Sequence, residues 1–133
     1  MSHASGTFEV KFDPHPPYDT AEGATLGRVS ITKQFSGDID ATSTVEMLNA
    51  LTEVKGSAGY VAIERVVGAV HGRAGTFVLQ HSGIMNRGEG ELRVSVVPDS
   101  GTGALRHIAG AMTIEIVDGK HRYGFEYSLD LPA

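Results

Sequence analysis

Apolar and polar residues alternate along successive short segments of this chain, and glycine-containing turn sequences separate the segments. In residues 7–12, for example, Phe8, Val10 and Phe12 alternate with polar neighbours, which predicts a strand with one buried face. Eight such segments, joined mostly by short turns, predict an all-β fold. We expect an eight-stranded antiparallel up-and-down β-barrel, because closure removes exposed sheet edges; a β-sandwich is the alternative.

The composition limits the classes of protein to which the chain can belong. Its 133 residues predict a single domain spanning residues 1–133. The formal charge of −5 argues against binding to nucleic acid or to an anionic membrane. The absence of cysteine excludes disulfides and thiol catalysis, and we predict no cofactor. Because the sequence shows neither a signal peptide nor a membrane-length apolar run, we expect a cytoplasmic protein.

The sequence Ser36-Gly37-Asp38 predicts the turn of an early hairpin. A three-residue loop with Gly37 in a left-handed conformation aligns the apolar faces of the two strands and places Arg28 opposite Glu46. Lys33 is an exception on the otherwise apolar face of the first strand. Residues 47–55 have a weak helical period, which predicts a short helix or a turn, and they are the only helical candidate.

Two longer strands are predicted at residues 60–70 and 76–85, with a turn at residues 72–75. Both faces of these strands are rich in apolar residues, and Ile63 and Val78 lie on the face opposite to the predicted site. A strand that is apolar on both faces is normally covered on both faces. We expect the second cover to be another copy of the chain, which predicts a homo-oligomer; a loop or the short helix is the alternative.

The clearest hairpin is predicted at the end of the chain. Residues 110–117 and 120–131 flank Asp118-Gly119, a sequence typical of a type I′ turn. The resulting register pairs Glu115 with Arg122, two opposite charges that stabilise one face of the sheet.

Several longer sequence segments resemble a known family. They are GYVAIERVVGAVHGRAGTFVLQHSGIM (residues 59–85), VVPDSGTGALRHIAG (residues 96–110), the closing HRYGFEYSLDL and the earlier FSGDIDATS. Together they resemble the uncharacterised bacterial domain-of-unknown-function 3224 family over nearly the whole chain. Members of that family are similar in structure to plant allene oxide cyclase, so the resemblance implies an eight-stranded barrel with an internal cavity. It implies no established function, and no catalytic motif of the plant enzyme is carried over.

A carboxylate and an imidazole form the candidate site. If Arg73 and Ala74 are the two loop residues of their hairpin, Glu64 and His81 are diagonal neighbours on one strand face. Such a pair in an apolar cavity is suited to general acid–base chemistry, and Gly83 would leave space for a ligand. The predicted ligand-binding residues are Tyr60, Glu64, Val66, Leu79, His81, Gly83 and Met85, with Glu64 and His81 as catalytic candidates.

The alternative interpretation is a structural pair of buried polar residues. A one-residue change in the loop would also place Glu64 beside Gln80 and Ser82 instead of His81. The SGTG sequence at residues 100–103 has free amides and hydroxyls that suit phosphate, but it lacks the flanking P-loop pattern, which favours a turn or a barrel lid. The scattered histidines lack metal-ligand spacing, so we predict no metal site.

Three functions remain open at this stage. The first is binding of a small, partly apolar ligand in the barrel cavity. The second is an isomerase or cyclase that holds a reactive apolar substrate in a productive shape. The third is a non-catalytic structural or interaction protein that assembles through the strands that are apolar on both faces.

Overall fold

The computed structural model describes residues 1–129 and forms a closed barrel of eight antiparallel strands. Neighbours in the sequence are neighbours in the barrel, and the first strand pairs with the last to close it. The up-and-down barrel prediction is therefore confirmed, and the β-sandwich alternative is excluded. The strands are β1 (Ser2–Pro14), β2 (Ala24–Gly37), β3 (Ile39–Thr52), β4 (Ala58–Val70), β5 (Arg73–Asn86), β6 (Glu89–Val96), β7 (Ala109–Val117) and β8 (Lys120–Ser128).

The short helix considered for residues 47–55 is wrong, and the alternative of a turn is confirmed only for the residues after Thr52. Strand β3 continues to Thr52, and Leu48 is paired on one side with Arg28 and on the other with Val61. Ladder bonds to two neighbouring strands outweigh a weak helical period, because helical stability in proteins depends largely on packing of an amphipathic face. No helix among residues 1–129 has the length and apolar character needed to cross a bilayer.

The β2–β3 register differs from the predicted one by two residues. Phe35 pairs with Ala41, so the faces agree with the prediction while the direct partners change. The cause lies in β1: Gly37 continues the ladder opposite Gly6, and the Asp38 amide donates to the Ser5 carbonyl. These bonds hold the turn sequence against β1 and lengthen the loop.

The predicted charge pair in this hairpin is kept as a diagonal contact. Arg28 lies directly opposite Leu48, yet its Nη2 is 2.9 Å from Glu46 Oε1. Hydrogen bonds from Ser30 and Arg28 hold the pKa of Glu46 below its usual value.

The β4–β5 register differs from the predicted one by four residues. The turn is His71-Gly72 rather than Arg73-Ala74, and Val70 pairs with Arg73. His71 and Gly72 have φ values of 47° and 79°, so both central residues are left-handed as a type I′ turn requires. Glycine accepts this conformation without steric cost.

The last hairpin follows its predicted register. Glu115 pairs with Arg122, and the turn is Asp118-Gly119 with both φ values positive. Strand β8 ends at Ser128 and does not include Leu129, while residues 130–131 of the predicted strand lie outside the described residues.

The two ends of the barrel are packed differently. At the end formed by the β2–β3, β4–β5 and β6–β7 connections, the interior is filled by the larger hydrophobic cluster. We call this the closed end, and the opposite end the mouth. The large aromatic members of this cluster are Phe8, Phe35, Phe77, Tyr123, Phe125 and Tyr127. Toward the mouth, a smaller cluster contains Ile31, Val45 and Ala62.

The SGTG segment belongs to the closed end. The Thr76 amide donates to Thr102 Oγ1 at 3.0 Å, and the Val78 amide donates to Ser100 Oγ at 3.0 Å. A turn of 3₁₀ helix, Gly103–Leu105, follows and inserts the fully buried Leu105 into the core. Because β5 already uses both hydroxyls, these contacts favour a plug over a phosphate-binding loop.

The outward face of β4 is exposed. Val61 and Ile63 are 54% and 51% exposed, so no loop or helix of the described chain covers them. Val78 on β5 is half-buried beside the Ser100 loop. The intrachain cover considered from the sequence is therefore wrong for this part of the sheet.

One seam of the barrel is held by few ladder bonds. Strands β6 and β7 pair only at Val94–Met112 and Ser95–Ala111 within the described residues, whereas every other neighbouring pair has at least seven paired positions. Continuing the same register would place Glu91 opposite a second glutamate on β7. Like charges directly opposite each other destabilise a sheet, so a ladder continued in this register would bring two like charges together.

Candidate functional site

A cavity of about 160 Å³ lies in the barrel interior on the mouth side of the larger core. All eight strands contribute to its wall, because alternate residues of each strand point inward. The wall is mostly apolar, which is typical of small-molecule sites. The lining residues are Phe8, Val10, Phe12, Ile31, Lys33, Val45, Met47, Tyr60, Ala62, His81, Leu92, Ile114 and His121.

Four polar side chains form a buried cluster beside this cavity. His81 Nε2 donates to Glu64 Oε1 at 2.7 Å, and Lys33 Nζ donates to the same oxygen at 3.1 Å. Ser43 Oγ donates to Glu64 Oε2 at 2.6 Å. Both carboxylate oxygens therefore have partners, which a buried charge requires. We call Lys33, Ser43, Glu64 and His81 the polar cluster.

Glu64 is the anionic centre of the polar cluster. Burial by itself raises the pKa of this carboxyl, because it disfavours the charged form. The hydrogen bond from His81, the positive charge of Lys33 and the hydrogen bond from Ser43 outweigh that effect and hold the pKa below its usual value. Glu64 is thus a carboxylate inside the barrel, and its charge stabilises the cation of Lys33.

The position of Lys33 explains the exception in the apolar pattern of β2. Its side chain points inward and is only 7% exposed. In addition to the ion pair with Glu64, its Nζ lies 4.6 Å from the centre of the Phe8 ring. A cation over an aromatic face is attracted by the ring quadrupole. The lysine therefore extends the polar cluster to the cavity wall.

The structure brings Glu64 and His81 together but gives them different surroundings. His81 lines the cavity, whereas Glu64 is fully buried and is not among the lining residues. An imidazole that faces the cavity and is held from behind by a carboxylate can accept or donate a proton, with its orientation fixed by the carboxylate. Glu64 is a positioning residue in this arrangement.

The other predicted site residues are dispersed. Tyr60 lines the cavity, and its ring lies against Gly83, where an added Cβ would be 2.2 Å from Tyr60 Cε1. The space expected at Gly83 is therefore filled by that ring. Val66 and Leu79 lie in the larger core cluster, away from the cavity wall.

Met85, the remaining predicted residue, lies at the mouth. It lines a second cavity of about 380 Å³ between the β3–β4 and β5–β6 hairpins. This rim groove shares Met47, Tyr60 and Leu92 with the wall of the inner cavity. The two spaces therefore adjoin each other. Burial and the negative charge of Glu64 raise the pKa of Tyr60, so its hydroxyl remains protonated at neutral pH.

Comparison with known proteins adds the family. The model for a protein of unknown function, DUF3224, matches residues 4–127. The chain belongs to the DUF3224 family. A crystal structure at 1.84 Å of a DUF3224 protein of unknown function from Shewanella oneidensis MR-1 is similar, with a TM-score of 0.93 and 48% sequence identity. The similarity covers 98% of this chain and 99% of that chain. No curated protein matches the chain.

The family prediction made from the sequence is thereby confirmed, while the similarity to allene oxide cyclase stays a prediction. The DUF3224 match includes the polar cluster and all the strands that carry it. Within residues 1–129, no three His, Asp or Glu side chains are grouped closely enough to hold a metal ion.

The sequence interpretation noted Lys33 only as an exception in the apolar pattern, and it missed two further polar residues of this DUF3224 barrel site. Ser43 and His121 both lie on inward-facing positions, Ser43 as a partner of Glu64 and His121 on the cavity wall. Strand alternation contained the signal for each, since Ser43 has the parity of Ala41 and Val45, and His121 has the parity of the buried Tyr123. In both cases the signal is a polar residue at a position that strand alternation assigns to the inward, mostly apolar face.

Proposed function

We propose that this protein binds a small, partly apolar molecule in the mouth half of its barrel. The observation that carries the proposal is the cavity of about 160 Å³, whose mostly apolar wall includes His81 and Lys33. Sites for small molecules commonly combine such a wall with a few placed polar groups that orient the ligand. The adjoining rim groove gives a longer molecule room to extend past Tyr60.

Native mass spectrometry of gently purified protein, with a denatured control, tests this proposal. We expect a subunit mass with an additional small molecule that denaturation releases. Ala62→Leu fills the cavity and should abolish the adduct, whereas Ala111→Leu, on the exposed outer face of β7, should retain it. An adduct that survives in the Ala62→Leu protein would place the ligand elsewhere and contradict the proposal.

Catalysis is a second candidate function. It is supported by the hydrogen bond of 2.7 Å between His81 and the buried Glu64, which orients an imidazole toward the cavity. An isomerase or cyclase acting on a reactive apolar substrate would use His81 as its acid or base, and the cavity wall would hold the substrate in shape. Incubating the molecule released from the native protein with fresh protein tests this. Conversion to an isomer that His81→Gln abolishes supports catalysis, and recovery of the unchanged molecule supports binding alone.

Assembly into a homo-oligomer is a third, compatible proposal. It is supported by the exposed apolar residues Leu48, Val61 and Ile63, which are neighbours on the outer face of β3 and β4. A second copy that covers this face would remove them from water. Light scattering after Ile63→Lys should then show a smaller particle than the wild type, while Thr113→Lys, on the outer face of β7, should leave the particle size unchanged. A wild-type monomer would contradict this proposal.

The cytoplasmic location expected from the sequence stays a prediction.

A further inference from the structure

We propose that the molecule bound in the cavity is a small monocarboxylate, whose anionic head lies against Lys33 and His81 and whose apolar body points toward the mouth. This inference rests on the proposed binding function and adds the chemical class of the ligand. It follows from the polar groups that face the cavity, from the charge of the polar cluster and from the size of the space.

The polar groups on the cavity wall are hydrogen-bond donors or can become donors. They belong to Lys33, Tyr60, His81 and His121, and no lining residue of the described chain is a carboxylate. Glu64, the one acid of the polar cluster, is fully buried and is not part of the wall. A ligand that enters the cavity therefore meets donors, among them the Lys33 ammonium, and no acidic lining group. The matching ligand group is an acceptor with negative charge.

Lys33 and His81 retain hydrogen-bonding capacity beyond their contacts with Glu64. A lysine ammonium has three N–H donors, of which the bond of 3.1 Å to Glu64 uses one. The bond from His81 to Glu64 uses the Nε2 proton, so Nδ1 is an acceptor in the neutral ring and becomes a second donor when the ring is protonated. Two neighbouring groups with spare capacity suit the two oxygens of a carboxylate.

The charge of the polar cluster favours the same ligand. Lys33 and Glu64 neutralise each other, and protonation of His81 would leave one buried positive charge in excess. Buried charges are stable only when they are paired. A bound carboxylate supplies the second negative charge, so that two cations and two anions share the site.

The dimensions of the cavity limit the body of the ligand. A volume of about 160 Å³ is close to that of apolar protein cavities of about 150 Å³ that accommodate benzene. The inner cavity therefore accepts a carboxylate on a body of about ring size. Any longer apolar chain would continue into the rim groove past Met47, Tyr60 and Leu92, which line both spaces.

Three probes of similar shape and different charge test the inference: benzoate, benzyl alcohol and benzylamine. Binding is followed by the methyl NMR signals of Ile31 and Ala62, which line the cavity. We expect benzoate to bind at least about tenfold more tightly than benzyl alcohol, and benzylamine to bind more weakly than either. Lys33→Met should remove the preference for benzoate over benzyl alcohol. Lys11→Met, an exposed lysine on β1, is the matched control and should behave as the wild type.

The outcomes separate this inference from the function on which it rests. Equal affinity for benzoate and benzyl alcohol, or benzoate binding that Lys33→Met leaves unchanged, overturns the carboxylate class while the binding function stands. If no probe binds, the molecule released from the native protein decides: an acid supports the inference and a neutral or basic molecule overturns it. If no probe binds and no molecule is released, both proposals fail. Should Lys33→Met not fold, Lys33→Met/Glu64→Gln removes both charges together and must still lose the preference.

Discussion

The Glu64 carboxylate accepts a hydrogen bond of 2.7 Å from the His81 imidazole across the β4–β5 strand pair, although only His81 lines the cavity. The same carboxylate oxygen accepts from Lys33, the second basic residue on the cavity wall. The buried acid thus holds two basic groups in place at the boundary between packed core and cavity. Substitution of Glu64 should act mainly on folding, and substitution of the two basic residues should act on both folding and binding.

Removing either charge of the Lys33–Glu64 pair should destabilise the fold strongly. The two side chains are 7% and 0% exposed, so each single substitution, Lys33→Met or Glu64→Gln, leaves a buried charge without its partner. The expected loss is about 3–5 kcal/mol for each. The double substitution should lose clearly less than the sum of the two, because it leaves neither charge behind. Urea unfolding of the four proteins measures this cycle.

Lys11→Met is the control for the cycle, because Lys11 is exposed on the outer face of β1. It should change the unfolding free energy by less than about 0.5 kcal/mol. Additive losses in the cycle would mean that the two charges do not stabilise each other, and would contradict the role given to Glu64.

The stability of the protein should depend on the ionisation of Glu64 in acid. Although burial raises its pKa, the hydrogen bonds and the charge of Lys33 lower it below the usual 4.5. A carboxyl whose pKa is lower in the folded state stabilises that state above the unfolded value, and the contribution disappears as the pH falls through the folded value. The unfolding free energy of the wild type should therefore fall more steeply below pH 4.5 than that of Glu64→Gln.

Urea unfolding across this pH range measures the effect, with Glu9→Gln as an exposed control carboxyl on β1. The control should follow the wild type. The difference in unfolding free energy between the wild type and Glu64→Gln should become smaller as the pH falls. A difference that stays constant below pH 4.5 would show that folding does not lower the pKa of Glu64.

The meeting of Glu64 and His81 was predictable from the sequence even though the register was not. The expected turn pairs Glu64 with Gly83, and the observed turn pairs it with Leu79. His81 lies two residues from either partner, so it is a diagonal neighbour in both registers. A register shift by an even number of residues keeps each side chain on the same face of the sheet. The prediction of which residues point inward was therefore correct although the register was not. The turn itself was missed because its first central residue is His71. A type I′ turn needs a positive φ at that position, and such turns are usually recognised by asparagine, aspartate or glycine there.

The shape of the cavity was beyond prediction from one sequence. Alternation identifies which residues point inward, but it does not show how far the packed core extends along the barrel axis. Val66 and Leu79 face inward like His81, yet they lie in the core, because the segment containing Leu105 fills that end. Such long-range packing depends on where a loop from elsewhere in the chain docks. Lys33 was visible as an exception in the pattern, and only its contact with Glu64 explains the exception.

The SGTG segment, residues 100–103, packs on β5 at the closed end and should make substitution of one glycine of that strand destabilising. A Cβ at Gly75 would lie 2.1 Å from the backbone oxygen of Thr102, so Gly75→Ala requires this segment to move. Gly59→Ala is the matched control on the neighbouring strand, because its nearest contact is a movable Ile84 methyl at 3.4 Å. We expect a loss of about 1–3 kcal/mol in thermal or urea unfolding for Gly75→Ala and little change for Gly59→Ala. Equal stability of the two variants would mean that the SGTG segment does not pack tightly on β5.

The weak seam between β6 and β7 should be the part of the barrel wall that opens most readily. The ladder joins these strands at Val94–Met112 and Ser95–Ala111, so the amides nearer the mouth have fewer ladder partners and should exchange with solvent early. Extending the register places the outward-facing Glu91 opposite Glu115, and Glu91→Lys would replace this repulsion with attraction. Residue-resolved hydrogen exchange should therefore show slower exchange of the β7 amides after Glu91→Lys. Glu9→Lys makes the same change of charge on the outer face of β1 and should leave β7 exchange unaltered. Unchanged β7 exchange in both variants would show that the two glutamates do not hold the seam apart.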